Sequence, residues 1–144
     1  MNAFLPYDPG VLPTFKAPNP GEMFELTIAG FPPAKSRRHS IRNRTHPLFH
    51  SFVALRKAAT TAMAGRAWSF RPVELHLVVR SPDEMNFYGL NDYLGGIMDT
   101  LDGSSGYTFT YLPIAFEDDS QVTGCTMNWQ YASGIDYSLK VVFL

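Results

Sequence analysis

Val73, Leu75, Leu77 and Val79 alternate with Glu74, His76 and Arg80. Successive strand residues point to opposite sides of a sheet, so this run predicts a strand with one face in a core and the other in water. Ser81-Pro82-Asp83 closes it. The apolar spacing changes on both sides of the run. Before it, Leu48, Phe49, Phe52, Leu55, Ala59 and Met63 recur every three or four residues, as on one side of a helix. Pro47 suits the first turn of that helix, with Thr45 or His46 near the cap, and Gly65 suits its stop. Arg56 and Lys57 lie off the centre of the apolar stripe. After the strand, Leu90, Leu94, Ile97, Met98 and Leu101 mark a second helix, from about Leu90 to Leu101.

Three more stretches supply strands. Met23 to Ala29 places Phe24, Leu26 and Ile28 on one side and Glu25 and Thr27 on the other. Gly30-Phe31-Pro32-Pro33 ends it, because proline cannot continue a ladder. Gln121 to Gln130 and Tyr137 to Leu144 read as two strands around Ala132-Ser133-Gly134, the pattern of a hairpin. The order is β-α-β-α-β-β. The predicted fold is α+β, with two helices packed on a mixed four-stranded sheet.

At 144 residues, 45% of them apolar, the chain has enough material for one domain with a real core. Residues 1–22 hold Pro6, Pro9, Pro13, Pro18 and Pro20 and read as an irregular arm. Its Phe4, Leu5, Tyr7, Val11, Leu12 and Phe15 favour packing on the body or on a second subunit. Residues 23–144 form the folded domain. Asp102 to Gly106 reads as a flexible turn and Tyr107 to Phe116 as an ordered aromatic loop. Cys125 is alone, which excludes an internal disulfide or a cysteine-based zinc site and suits a reducing cytoplasm. The first residues lack a signal-peptide pattern, and no apolar run approaches the ~18 residues of a membrane span.

Charge is distributed unevenly, although the net value is only -1. Lys35, Arg37, Arg38, Arg42 and Arg44 form a basic loop. Eight of the 13 acidic residues fall between Asp83 and Asp119. Asp92 and Asp99 share a helix face, roughly 10 Å apart along the axis. Glu117-Asp118-Asp119 comes just before a strand. Folding that strand back beside the second helix would bring three or four carboxylates together, a set suited to hard divalent cations such as magnesium. A pair of such ions can clamp a phosphodiester, and the basic loop could hold a phosphate backbone.

Each feature also has a plainer reading. Glu-Asp-Asp ahead of a strand can be a solvated turn. Asp92 can be a helix-start residue favoured by the macrodipole. Asp99 can be a surface residue, and Asp83 is a further candidate ligand. Gly95-Gly96 inside a helix costs roughly 1 kcal/mol per glycine, so close approach of a strand or of a DNA backbone should offset it. His39, His46 and His50 lack metal spacing, and His76 belongs on the solvent face of its strand. Phe87 and Tyr88 suit core or interface packing, or stacking on an unpaired base.

Three patches resemble the RusA family of Holliday junction resolvases. Gly30-Phe31-Pro32-Pro33-Ala34-Lys35-Ser36-Arg37 is similar to the family's Pro-Pro, small polar residues and arginine after strand one. Asn91-Asp92-Tyr93-Leu94 with Ile97-Met98-Asp99-Thr100-Leu101 is similar to its acidic helix. Glu117-Asp118-Asp119-Ser120-Gln121-Val122 resembles its Asp-Asp-x-Gln-Val and is the nearest match. The resemblance implies a small dimeric α/β endonuclease, often carried by prophages, that cuts four-way DNA junctions with magnesium in recombination and repair. It implies Asp92, Asp118 and Asp119 as catalytic residues, Asp92, Asp99 and Asp119 as metal ligands, and the basic loop as the DNA contact. Aligned on Asp99 and Leu101, the family's two metal aspartates fall on Gly89 and Asn91, and its lysine on Gly95. Those departures give a second expectation, a branched-DNA-binding protein that kept the fold and lost the chemistry. A third is an interaction domain without nucleic acid.

Overall fold

The computed structural model describes residues 12–35, 47–105 and 110–144. Strand β1 (Met23–Ala29) is followed by helix α1 (Phe49–Met63), strand β2 (Val73–Ser81) and helix α2 (Phe87–Leu101). Two short strands, β3 (Ser104–Ser105) and β4 (Thr110–Tyr111), pair with each other. Strands β5 (Val122–Tyr131) and β6 (Asp136–Phe143) complete the domain. The main sheet has the order β1-β6-β2-β5, with β5 parallel to β2 and the other pairs antiparallel. This is the predicted α+β arrangement of two helices on a mixed four-stranded sheet.

The alternation in β2 sets the layers. Val73, Leu75, Leu77 and Val79 are buried, and join Leu55, Ala59 and Met63 of α1 with Leu90, Leu94, Ile97 and Leu101 of α2 in one core. Both helices therefore cover the same face of the sheet. The other face is polar, and His76 lies on it as expected, 2.7 Å from the Thr126 hydroxyl and 3.5 Å from the Glu74 carboxylate.

Four expectations need correction. Strands β5 and β6 are not a hairpin, because β2 lies between them and pairs with both. The connection crosses the end of β2, where the Ala132 N–H donates to the Ser81 carbonyl at 3.2 Å. The apolar face of β2 needs a neighbour on each side, and that demand outweighs local turn chemistry. Helix α1 is capped by Leu48 without a side-chain bond, and Ala64 (φ 53°) takes the left-handed position ahead of Gly65. Arg56 is buried rather than off the stripe, at 3% exposure. Its guanidinium donates to the carbonyls of Thr100 and Leu112 at 3.2 and 3.0 Å and lies 4.9 Å from the Tyr111 ring centroid. It ties α1 to the end of α2 and to the 111–116 segment, whose Tyr111, Ile114, Ala115 and Phe116 are buried. Finally, α2 begins at Phe87, because the Asn86 side chain caps it by accepting from the Gly89 N–H at 3.0 Å.

The described part of the arm docks through its backbone. The N–H groups of Thr14 and Phe15 donate to the Gly65 carbonyl, and the Ala67 N–H donates to the Phe15 carbonyl. Leu12 and Phe15 nevertheless keep exposed side chains. Among the described residues no helix is long and apolar enough to cross a membrane.

Candidate functional site

The acidic turn is held by one side chain. The Gln121 amide donates to the carbonyls of Ser69 and Arg71 at 2.7 and 2.9 Å. Its oxygen accepts from the N–H groups of Glu117 and Asp118 at 2.8 and 3.0 Å. All four polar positions of one amide are used, so the turn cannot drift from the loop ahead of β2. Asp118 caps the short 3₁₀ turn Asp119–Gln121, its Oδ1 accepting from the Ser120 N–H at 3.2 Å. The buried Phe116 anchors the approach to the turn.

That turn stands where β2 and β5 both begin, since Val73 is paired with Val122. Helix α2 leaves the far end of β2 and runs back over the sheet. Its last residue returns to this end, where the Leu101 carbonyl accepts from the N–H groups of Ile114 and Ala115. Asp99 therefore arrives beside the acidic turn. The carboxyl of Asp119 is pushed up, first by the hydrogen bond it shares with Asp118, then by partial burial and by the charges of Asp118 and Asp99. Lys35 pulls it down. The Asp118 carboxyl is held below its usual range, first by the Ser120 N–H and then by the Asp119 side chain. The two neighbouring carboxyls therefore differ, with the protonated form favoured on Asp119 and the charged form on Asp118.

The site residues proposed from sequence separate into groups. Asp118 and Asp119 are adjacent, and the charges of Asp99 and Lys35 act on Asp119 from nearby. Asp92 is exposed on the same helix, about 10 Å back along its axis. It lies beyond the first turn, so the macrodipole reading does not apply to it. Asp83 follows the far end of β2, roughly 25 Å from the acidic turn at strand rise, and takes no part. Arg37, Arg38, Arg42 and Arg44, like His39 and His46, lie outside the described residues. Phe87 and Tyr88 do not join the core; they are 63% and 78% exposed on the first turn of α2.

The glycine pair in α2 serves close approach. A Cβ on Gly96 would stand 2.1 Å from the Pro33 carbonyl oxygen, so only glycine lets the segment after β1 lie on the helix. That segment is pinned by the Lys35 N–H, which donates to the Asp92 carbonyl at 2.9 Å, and by Phe31 stacked on Tyr93 at 5.6 Å. Sequence reasoning anticipated a close approach but did not say that the basic loop's own first lysine makes it.

The chain matches no protein-family model and no curated protein in sequence. The resemblance to RusA resolvases thus rests on the three motif patches.

Hard oxygen donors are what these side chains offer. Neighbouring carboxyls of which one resists ionisation are a place where a divalent cation can displace a proton. Among the described residues no three His, Cys, Asp or Glu side chains stand close enough to enclose an ion unaided. Magnesium does not require such a cage, because it keeps several waters and uses one or two carboxylates together with phosphate oxygens. The donor set fits an ion of that type.

Proposed function

We propose that this protein is a magnesium-dependent, structure-specific endodeoxyribonuclease that cuts branched DNA such as four-way junctions, in the manner of the RusA family, and acts as a homodimer. One observation carries the reading: the C-terminal end of α2 and the acidic turn are tied to one another, because the Leu101 carbonyl holds the Ile114 and Ala115 N–H groups, the Ala115 carbonyl holds the Ser69 N–H, and Gln121 donates to the Ser69 carbonyl. These are the elements that the sequence motifs single out.

In this reading Asp119 and Asp118 hold the cation, with Asp99 beside them. Asp119, whose carboxyl is held above its usual range, would bind the ion in its charged form. Asp92, farther along the helix, would contribute a further carboxylate, as the family resemblance implies. When bound, the ion supplies an activated water and neutralises charge on the phosphodiester. Gln121 keeps the turn in register with the sheet while charge builds. Lys35, Arg37, Arg38, Arg42 and Arg44 face the phosphate backbone. A two-fold dimer suits a symmetric junction, because paired sites can make paired cuts.

The deciding experiment is cleavage of a synthetic four-way junction by Asp119→Asn in magnesium. Loss of cutting with binding retained supports the site; cutting at the wild-type rate removes it. The absence of acids or a lysine at Gly89, Asn91 and Gly95 favours a second reading, a junction-binding protein without chemistry. Tight, salt-dependent junction binding by the wild type, with no cutting in magnesium or manganese, selects that reading.

A further inference from the structure

Lys35 occupies a position made for it. Its N–H is fixed to the Asp92 carbonyl, and its stem then lies over Gly95. A Cβ on Gly95 would stand 3.2 Å from both Cβ and Cδ of Lys35, and 3.7 Å from its Cγ. The neighbouring Gly96 admits the Pro33–Ala34 backbone even more closely. The two glycines are therefore a seat, one for the incoming backbone and one for the lysine stem. A side chain at position 95 would compete for that space. Lys35 is exposed, so its ammonium group meets solvent although the stem is supported by the helix. Gly95 stands one helical turn before Asp99, so the stem lies on the α2 face that leads to Asp99.

We infer that Lys35, seated across Gly95 by the loop after β1, is the cation that contacts the scissile phosphate. The inference rests on the nuclease reading above. In phosphodiester hydrolysis the oxygen of water bonds to phosphorus, the bond from phosphorus to one ester oxygen breaks, and that oxygen leaves with a proton. Lys35 forms and breaks no covalent bond in this step. It stabilises negative charge on the phosphoryl oxygens, which grows as the leaving oxygen departs. Lys35 is also the first residue of the basic run in the sequence, so the lysine seated on α2 and that run are adjacent along the chain.

The test compares wild type, Lys35→Ala, Lys35→Arg and the double variant Lys35→Ala/Gly95→Lys on a synthetic four-way junction. Cleavage is followed in magnesium, and binding in calcium over a range of salt. Lys35→Ala should slow cleavage about 100-fold, as expected for loss of one transition-state contact. It should lower the salt slope of binding by about one, with an unchanged unfolding midpoint. Lys35→Arg should retain the salt slope. The double variant returns an ammonium from the helix side of the same space and should recover at least about tenfold in rate, to about a tenth or more of the wild-type rate. Wild-type cleavage and an unchanged salt slope in Lys35→Ala overturn the inference while leaving the nuclease reading intact. If the wild type binds without cutting, the nuclease reading fails and the salt slope alone decides whether Lys35 touches phosphate. If the wild type binds no junction at low salt, both fall.

Discussion

Replacing Gly96 with alanine should damage the protein, although alanine is the better helix former. The new Cβ would stand 2.1 Å from the Pro33 oxygen, 2.4 Å from the Pro33 carbonyl carbon and 2.7 Å from the Ala34 carbonyl carbon. All three are backbone atoms and cannot turn aside. Ordinary contact begins near 3.4 Å, so the segment must retreat by roughly 1.3 Å to reach packing distance. That movement breaks the bond from the Lys35 N–H to the Asp92 carbonyl, a loss of about 1 kcal/mol. Separating Phe31 from Tyr93 costs about 1 kcal/mol more. Pro32 and Pro33 are buried, and re-exposing on the order of 50 Å² of apolar surface there adds about 1 kcal/mol. Replacing a helical glycine regains about 1 kcal/mol, so the expected net loss is about 2 kcal/mol. At this chain length that is a fall of roughly 4–8 °C in the unfolding midpoint. Gly95→Ala is the internal control. Its Cβ meets only the side chain of Lys35, which can swing away, so its stability should be unchanged or raised by up to about 1 kcal/mol. Urea denaturation of the two variants measures both values. If Gly96→Ala is as stable as wild type, or if both variants lose stability equally, the close approach described here is wrong.

Three further outcomes follow from the same geometry. Gln121→Glu replaces an amide donor with an oxygen facing the Ser69 and Arg71 carbonyls, so it should cost about 2–4 kcal/mol at neutral pH, read by chemical denaturation; a loss below about 0.5 kcal/mol, the size of an ordinary surface change, would show that the amide is not holding the turn. Tyr137 is buried, and its hydroxyl has no hydrogen-bond partner among the described residues. Tyr137→Phe should therefore be neutral or stabilising by roughly 1 kcal/mol, and a clear loss of midpoint would reveal a partner for that hydroxyl. The Asp119 carboxyl is raised, so its protonated form favours the folded state at acid pH, and this contribution is lost as pH rises through its folded value. Asp119→Asn should accordingly gain stability relative to wild type at neutral pH but not near pH 3. For the same reason manganese binding to the wild type should tighten as pH rises from 4 and release protons at acid pH, which calorimetry in buffers of different ionisation enthalpy detects; proton-neutral binding at acid pH would contradict a raised Asp119 carboxyl at the metal site.

Much of this was legible in the sequence because the periodicities are clean. Val73 to Val79 identified its strand and its buried side, and the two helical stripes identified both helices, which the structure places on that side. The acidic carboxylates were expected to converge on one point; the turn and the end of α2 do reach the same end of the sheet, but no three acidic side chains among the described residues stand close enough there to enclose an ion. What could not be read was anything decided by a partner distant in sequence. The pairing of β5 with β2 instead of β6 depends on which strand needs covering, not on the turn between them. Arg56 looks like a surface residue until Thr100, Leu112 and Tyr111 are assembled around it. The Gly95-Gly96 pair did signal an approach, but the identity of the visitor emerged only when the segment after β1 was seen crossing α2. Asn86 outweighed the weak apolar pattern at the start of α2 by capping it three residues early, which moved Asp92 from the helix start to its second turn.

The strand order has a consequence for how the molecule is made. Strand β1 is synthesised first, yet its neighbour is β6, with Phe24 beside Val141 and Ile28 beside Tyr137. Nearly the whole domain must emerge before the earliest strand finds a mate. Until then the inner edge of β2 is also open, because β6 is the piece inserted between them. Nascent chains should therefore stay vulnerable to protease and to mispairing until the stretch 136–143 is free to act as keystone.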